Sequence, residues 1–102
     1  MRPVYLARLD KTRPVVLLTR EAMLPVLMYV TIAPITSRVR GILTEVPVGP
    51  MNGLEADSVI SCDNITTIPR SDLGRPLGFL LPSQERQLAS AISHAFDLAP
   101  AP

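Results

Sequence analysis

The sequence of 102 residues has no tryptophan, one cysteine, one histidine and only 4% aromatic residues. A single thiol can form neither an internal disulfide nor a zinc cluster, and it is typical of a protein from a reducing compartment. The net charge of +1 is nearly neutral, so affinity for a polyanion would depend on where the cations lie. With so few aromatics, the core must be built from Leu, Val and Ile, which the hydrophobic fraction of 47% supplies.

Long hydrophobic runs are also missing. The longest apolar region, 22–35, is shorter than the roughly 20 residues that a membrane helix needs, and Pro25 and Pro34 interrupt it. Asp10 and Lys11 break the N-terminal region before an apolar segment as long as that of a secretion signal. We therefore predict a cytoplasmic protein that has no membrane partner.

Short apolar runs separated by turn residues dominate the first two thirds of the chain. Five of them predict β-strands, at 4–9, 14–18, 27–35, 45–48 and 58–62. The 11 prolines are scattered, which indicates many strand ends and edges and no flexible linker. Without an internal repeat or a domain boundary, the pattern predicts one mainly antiparallel β domain over residues 1–102.

The period of the apolar residues changes near the C-terminus. After Pro82, with Ser83 as the expected N-cap, the spacing is that of an amphipathic helix. Its predicted apolar face consists of Leu88, Ala91, Ile92, Ala95 and Phe96. The tail at 99–102 contains two prolines and is expected to be frayed.

Polar side chains that could bind a phosphate or take part in its chemistry stand at the ends of three predicted strands. Lys11 and Arg13 precede the strand PVVLL, and Pro14 biases Arg13 toward an extended backbone. The other two groups follow the runs IAPI and SVISC, and they are Thr36, Ser37, Arg38 and Arg40, then Asp63 and Asn64. Each group alone is a weak indication of function.

Together these segments resemble a known family. RPVVLL from Arg13, IAPITS ending at Ser37, and DSVISCDNITTIP from Asp57 look like the three signature segments of the MazF/PemK/Kid toxins, over about residues 4–97. That resemblance implies a small SH3-like β barrel with a C-terminal helix, forming a homodimer. It also implies a toxin that cleaves single-stranded RNA at specific sequences without metal or cofactor, leaving 2′,3′-cyclic phosphate and 5′-hydroxyl ends. The implied partner is a cognate antitoxin with an acidic, disordered segment.

The resemblance also implies roles for individual residues. Arg13 would contact the scissile phosphate, and Thr36 would donate its hydroxyl to a non-bridging oxygen. Asp63 falls where some members have an acid proposed as the general base. The implied RNA-binding residues are the neighbouring polar groups, Lys11, Ser37, Arg38, Arg40 and Asn64.

Two departures from the family pattern leave the general acid and base open. Only the three residues 10–12 separate the first two strands, where members usually carry a longer loop, and Ser61 stands where Kid-like members have an arginine. Arginine holds its proton too tightly to be an easy base. The base is therefore left between Asp63 and an unidentified group.

Structural roles compete with each of these interpretations. Arg13 could snorkel over the sheet edge, and Thr36 could bond to the backbone. Cys62 is interpreted as a small buried hydrophobe and His94 as a surface residue of the helix. For the whole protein there are two alternatives. One is a gyrase-poisoning CcdB-like toxin of the same fold, but the lack of tryptophan argues against it. The other is an inactive barrel that only binds an antitoxin.

Overall fold

The computed structural model describes residues 1–98. Within them, seven strands and one α-helix follow one another along the chain. The elements are Pro3–Arg8 (β1), Thr12–Leu17 (β2), Tyr29–Thr36 (β3), Glu45–Val48 (β4), Ser58–Ser61 (β5), Thr66–Pro69 (β6), Leu73–Phe79 (β7) and Pro82–Ala95 (α1). Among residues 1–98, no helix is long and apolar enough to cross a membrane.

The strands form one antiparallel sheet in the order β4-β5-β3-β2-β1-β7. β3 occupies the centre, because one edge pairs with β2 while the other pairs first with β6 and then with β5. Over the described residues, β4 and β7 are not paired with each other, so the sheet is a curled half-barrel. The predicted small, mainly β fold with a C-terminal helix is confirmed.

The core lies on both faces of β2 and β3. Val15, Val16 and Leu17 are all fully buried, as their unbroken apolar run predicted. Successive side chains of a strand point to opposite faces, so Val16 packs in the cluster that contains Leu88 of α1, while Val15 and Leu17 pack with Ile32 in a second cluster. With both faces of the central strands covered, their ends are held in fixed positions.

The start of α1 corrects the predicted cap. The N-cap is Leu81 and the helix begins at Pro82, so the assignment of Ser83 is wrong. Proline suits the first helical position because it has no N–H to satisfy. The side-chain oxygen of Gln84 accepts the backbone N–H of Leu81 at 2.8 Å, which replaces a hydroxyl cap.

The apolar face of α1 is confirmed except at its end. Leu88 and Ala91 are buried, and Ile92 and Ala95 pack against the same cluster. Phe96 is 55% exposed, because the helix ends at Ala95 and the chain turns away. The tail at 99–102, predicted to be frayed, lies outside the described residues.

A buried amide pair joins α1 to the turn before β5. Asn52 donates to the Gln84 side-chain oxygen at 2.7 Å, and Gln84 donates in return to the Asn52 oxygen at 3.1 Å. Both side chains are buried, where an unpaired amide would be costly. The pair therefore holds the segment that follows Asn52 in a defined position beside β7.

Candidate active site

The start of β2 and the end of β3 meet at one edge of the half-barrel because these neighbouring strands are antiparallel. Val15 lies opposite Pro34, and continuing this register by two residues brings Arg13 level with Thr36. The two strongest candidates from the sequence are thus neighbours across the sheet.

Two open grooves meet at Arg13 and Thr36, which line both of them. Groove A has a volume of about 370 Å³ and groove B a volume of about 460 Å³. The other predicted residues in groove A are Arg38, Arg40, Asp63 and Asn64, and those in groove B are Lys11 and Ser37. All eight predicted site residues therefore come together on one surface, and their roles stay predictions.

Arg13 is held by a carboxylate that the sequence analysis did not assign. Its Nε donates to one oxygen of Asp10 at 2.8 Å and its Nη2 to the other at 2.9 Å. The hydrogen bond from Arg13 holds the pKa of Asp10 well below its usual range, and Asp10 in turn raises the pKa of Arg13. The Arg13 side chain remains 33% exposed, so the guanidinium is fixed in direction yet accessible to a phosphate.

The hydroxyl of Thr36 is oriented by the chain that follows it. Its Oγ1 accepts the backbone N–H of Arg38 at 3.1 Å. A hydroxyl that accepts a hydrogen bond keeps its own proton to donate. Thr36 can therefore offer that proton to an oxygen in the grooves, beside the guanidinium of Arg13.

Asp63 lies in the short turn after β5, at the wall of groove A. Its Oδ2 accepts the hydroxyl of Thr44 at 2.6 Å. Next to it, the Asn64 amide donates to the Ser61 hydroxyl at 2.9 Å, so the residue that stands in place of the Kid-like arginine fixes Asn64. Thr44 was missed because its contact with Asp63 depends on the path of the whole loop before β4.

Groove B contains two charged residues that the sequence analysis also missed, Glu55 and Arg75. Its wall is formed where the turn after Asn52 touches β7. A Cβ at Gly53 would lie 2.0 Å from the carbonyl oxygen of Leu77, and Gly53 has a φ of +86°, so only glycine fits there. No pattern in the sequence brings β7 to this groove, since its position depends on pairing with β1.

Cys62 and His94 take the structural roles that we predicted for them. Cys62 is buried, and burial together with the neighbouring carboxylate of Asp63 raises the pKa of Cys62 to about 11. A thiol of this kind is a poor nucleophile. His94 is exposed on α1 and lines neither groove. Across residues 1–98, His, Cys, Asp and Glu side chains form no group of three that could hold a metal ion.

Such a fold, with an arginine and a threonine at adjacent strand ends, is that of the toxin ribonucleases. Residues 3–96 match the family described as PemK-like, MazF-like toxin of type II toxin–antitoxin system, and the chain belongs to this family. It is 61% identical over 98 residues to Endoribonuclease MazF3 of Mycobacterium tuberculosis (strain CDC 1551 / Oshkosh), a match covering 96% of this chain and 95% of that protein.

Solved structures agree with this assignment. The Mycobacterium tuberculosis toxin MazF-mt6 is 60% identical, with a TM-score of 0.93 and coverage of 96% of this chain and 99% of that one. An endoribonuclease from a mycobacterial species, solved in complex with its cognate antitoxin, is 29% identical, with a TM-score of 0.83 over 98% of this chain and 95% of that one. The chain is a MazF-type toxin endoribonuclease, which confirms the predicted family and enzyme class over the CcdB-like alternative.

Proposed function

We propose that this toxin cleaves single-stranded RNA without a metal, by attack of a ribose 2′-hydroxyl on the adjacent phosphorus beside Arg13 and Thr36. The observation that carries the proposal is the meeting of a fixed guanidinium and a free hydroxyl proton at the junction of two grooves. Both groups are donors that line the same junction, and a phosphorane with growing negative charge is stabilised by such donors. The products would be 2′,3′-cyclic phosphate and 5′-hydroxyl ends.

Arg13 would stabilise the negative charge of the phosphate and would not act as the base. Because Asp10 raises its pKa, Arg13 stays protonated and binds the non-bridging oxygens of the phosphate. Thr36 donates its hydroxyl to the same phosphate. Asp63 is the proposed base for the 2′-hydroxyl, since one carboxylate oxygen is occupied by Thr44 and the other has no hydrogen bond within residues 1–98.

The remaining polar residues would bind the RNA on either side of the reacting phosphate. Arg38, Arg40 and Asn64 would hold it in groove A, and Lys11 and Ser37 would hold it in groove B. Single strands bind such surfaces through phosphate contacts that weaken as salt concentration rises. A run of RNA through both grooves would place its scissile phosphate at their junction.

We further propose a homodimer that resides in the cytoplasm and is neutralised by an antitoxin. Met28, just before β3, and Tyr29, its first residue, are 75% and 60% exposed, and a second copy of the chain would cover such apolar surface. The antitoxin is supported by the related mycobacterial endoribonuclease, which was solved with its cognate antitoxin. An acidic, disordered segment of that partner would bind the cations of the grooves.

Cleavage of RNA in excess EDTA, with the new 5′ ends mapped, tests this function. We expect unchanged activity in the chelator and ends that a kinase can phosphorylate directly, because they carry a 5′-hydroxyl. Strict dependence on added magnesium, or 5′-phosphate ends, would overturn the proposed chemistry. A matched protein that carries both Arg13→Ala and Thr36→Ala controls for contaminating ribonuclease.

A further inference from the structure

The loop between β3 and β4 carries Arg38 and Arg40 along groove A, and the carboxylate of Glu45 binds the backbone of this loop. Oε1 of Glu45 accepts the backbone N–H of Arg40 at 3.0 Å and that of Gly41 at 2.8 Å. The N–H of Glu45 itself donates to the carbonyl of Ile42 at 3.1 Å. Glu45, the first residue of β4, therefore ties the loop to the sheet from the C-terminal side.

The other contacts of the loop show why this tie matters. Thr36 holds the N–H of Arg38, and Thr44 donates to Asp63, so both ends of the loop are fixed to proposed catalytic residues. Between those ends, the guanidinium groups of Arg38 and Arg40 make no hydrogen bond or ion pair with residues 1–98. Thr36 thus holds the backbone at Arg38, and the Glu45 carboxylate holds it at Arg40 and Gly41.

The charge of Glu45 makes its position notable. A carboxylate in the wall of an RNA-binding groove repels phosphate, so it weakens binding unless it contributes something else. Two backbone amides pointing at one oxygen form a strong, charge-assisted contact. Gly41, with a φ of +74°, provides the conformation that turns its N–H toward that oxygen.

We propose that Glu45 is a positioning residue for RNA binding, which accepts the backbone amides of Arg40 and Gly41 and so fixes Arg40, and the loop that also carries Arg38, for contact with phosphates. The inference rests on the proposed function, because it assumes that RNA binds in groove A. In the proposed complex, Glu45 contacts neither the RNA nor the reacting atoms. Its effect is to reduce the conformational entropy that the loop would lose on binding.

The test compares Glu45→Gln with Glu45→Ala. Both substitutions remove the same negative charge, but only glutamine keeps an oxygen that can accept both amides. Simple electrostatics predicts the same gain of RNA affinity for both. The positioning role predicts opposite changes, with affinity equal to or above wild type in Glu45→Gln and about ten-fold weaker in Glu45→Ala.

Binding is measured by fluorescence anisotropy with a short, single-stranded 2′-O-methyl RNA of mixed sequence, which has no 2′-hydroxyl to attack. Glu45→Ala should also flatten the dependence of affinity on salt, by about 0.7 in the log–log slope for each phosphate that the cations no longer neutralise. The matched control is the same pair of substitutions at Glu55, an exposed glutamate of groove B whose carboxylate accepts no hydrogen bond in the described chain. Glu55→Gln and Glu55→Ala should change affinity equally.

Equal affinities of Glu45→Gln and Glu45→Ala would overturn the inference, and so would a weakening in both. Thermal unfolding checks that Glu45→Ala folds. Gly41→Ala is a second, independent test of the positioning role, because it strains the same loop without changing Glu45. Gly41→Ala should weaken binding in the same direction as Glu45→Ala. The proposed function fails separately, if wild type does not cleave RNA in EDTA, since the anisotropy experiment does not depend on cleavage.

Discussion

Arg13 and Asp10, three residues apart, are joined by two parallel hydrogen bonds of 2.8 and 2.9 Å across the turn between β1 and β2. The turn consists of residues 9–11 only, so the carboxylate cannot move far from the start of β2. A guanidinium held in this way loses little side-chain entropy when it binds a phosphate. The short turn that departs from the family pattern is also what fixes the proposed catalytic arginine.

The first prediction is that Asp10→Asn lowers kcat while leaving the thermal unfolding temperature nearly unchanged. An exposed ion pair contributes little to stability, but removal of one hydrogen bond frees the direction of Arg13. We expect a reduction in kcat of about ten-fold, measured by cleavage of a labelled oligonucleotide. Wild-type turnover in the folded variant would show that Asp10 does not position Arg13.

The hydrogen-bonded pair of Asp10 and Arg13 also leads to a prediction about the pH dependence of cleavage. Because the folded pKa of Asp10 lies below its unfolded value, the pair is fully formed above the unfolded value and is lost only as the pH falls through the folded one. The acidic limb of the pH–rate profile should therefore be the same in wild type and Asp10→Asn. A shift of that limb in the variant would mean that Asp10 itself titrates in the reaction.

The second prediction concerns the two donors at the groove junction. Arg13→Ala and Thr36→Val should each lower kcat by about 10²–10³-fold, the range found when a donor to a transition-state oxyanion is removed. Both side chains are partly exposed, so neither change opens a core cavity. Arg86→Ala, on the exposed side of α1, is the matched control for removal of one cation. If either folded variant kept full activity, the site assignment would be wrong.

Much of this site could be predicted from the sequence because its residues stand at the ends of strongly apolar strands. The run 14–18 predicts β2 by hydrophobicity alone, and the family segments then single out Arg13 at the start of β2 and Thr36 at the end of β3. Contacts set by loop paths were not accessible in that way. The amide acceptor Glu45 and the Thr44 contact of Asp63 depend on how the loop at 37–44 folds back, for which no periodic signal exists.

The strands missed by the sequence analysis have a physical explanation as well. β7 contains Gly74, Pro76 and Gly78, which are unfavourable in a central strand. It lies at the end of the sheet, however, and within residues 1–98 it pairs only with β1, with two irregularities in register. β6 is short and mostly exposed, and its pairing with β3 stabilises it. In both cases tertiary pairing overrides a weak local preference.

The third prediction tests the proposed base. Asp63→Asn should lower kcat by about 10²-fold or more, with a smaller change in KM, because the amide cannot take the proton of the 2′-hydroxyl. Thr44→Val removes the hydrogen bond to Asp63 and should have a smaller effect in the same direction. Single-turnover cleavage measures both. A reduction below about ten-fold in Asp63→Asn would assign the base to another group.

The fourth prediction concerns Cys62. With a pKa of about 11, only about one thiol in a thousand is ionised at pH 8, so iodoacetamide should leave the native protein unmodified and react readily in urea. The raised pKa of Cys62 also makes the free energy of unfolding depend on pH. Its contribution is complete below the ordinary value of 9.0 and is lost as the pH rises toward 11, so the free energy of unfolding should fall above pH 9. Rapid alkylation of native protein at pH 8 would contradict the burial.

The last prediction is that RNA and the antitoxin compete for the same cations. Arg38 and Arg40 line groove A, and an acidic peptide and an RNA strand both present negative charge to them. Charge reversal, Arg38→Glu with Arg40→Glu, should therefore weaken both ligands and reduce the salt dependence of each. The same reversal at Arg20 and Arg86, exposed residues that line neither groove, controls for the change in net charge.

Competition itself is measured by titrating the acidic antitoxin peptide into toxin bound to a fluorescent 2′-O-methyl RNA. Steric and electrostatic exclusion predicts complete release of the RNA, with an apparent Kd for the peptide that rises linearly with the free RNA concentration. The toxin need not unfold, because the grooves lie on the surface of an intact sheet, and its thermal unfolding temperature should rise on binding. A ternary complex in which neither ligand changes the affinity of the other would show that the antitoxin acts from a different surface.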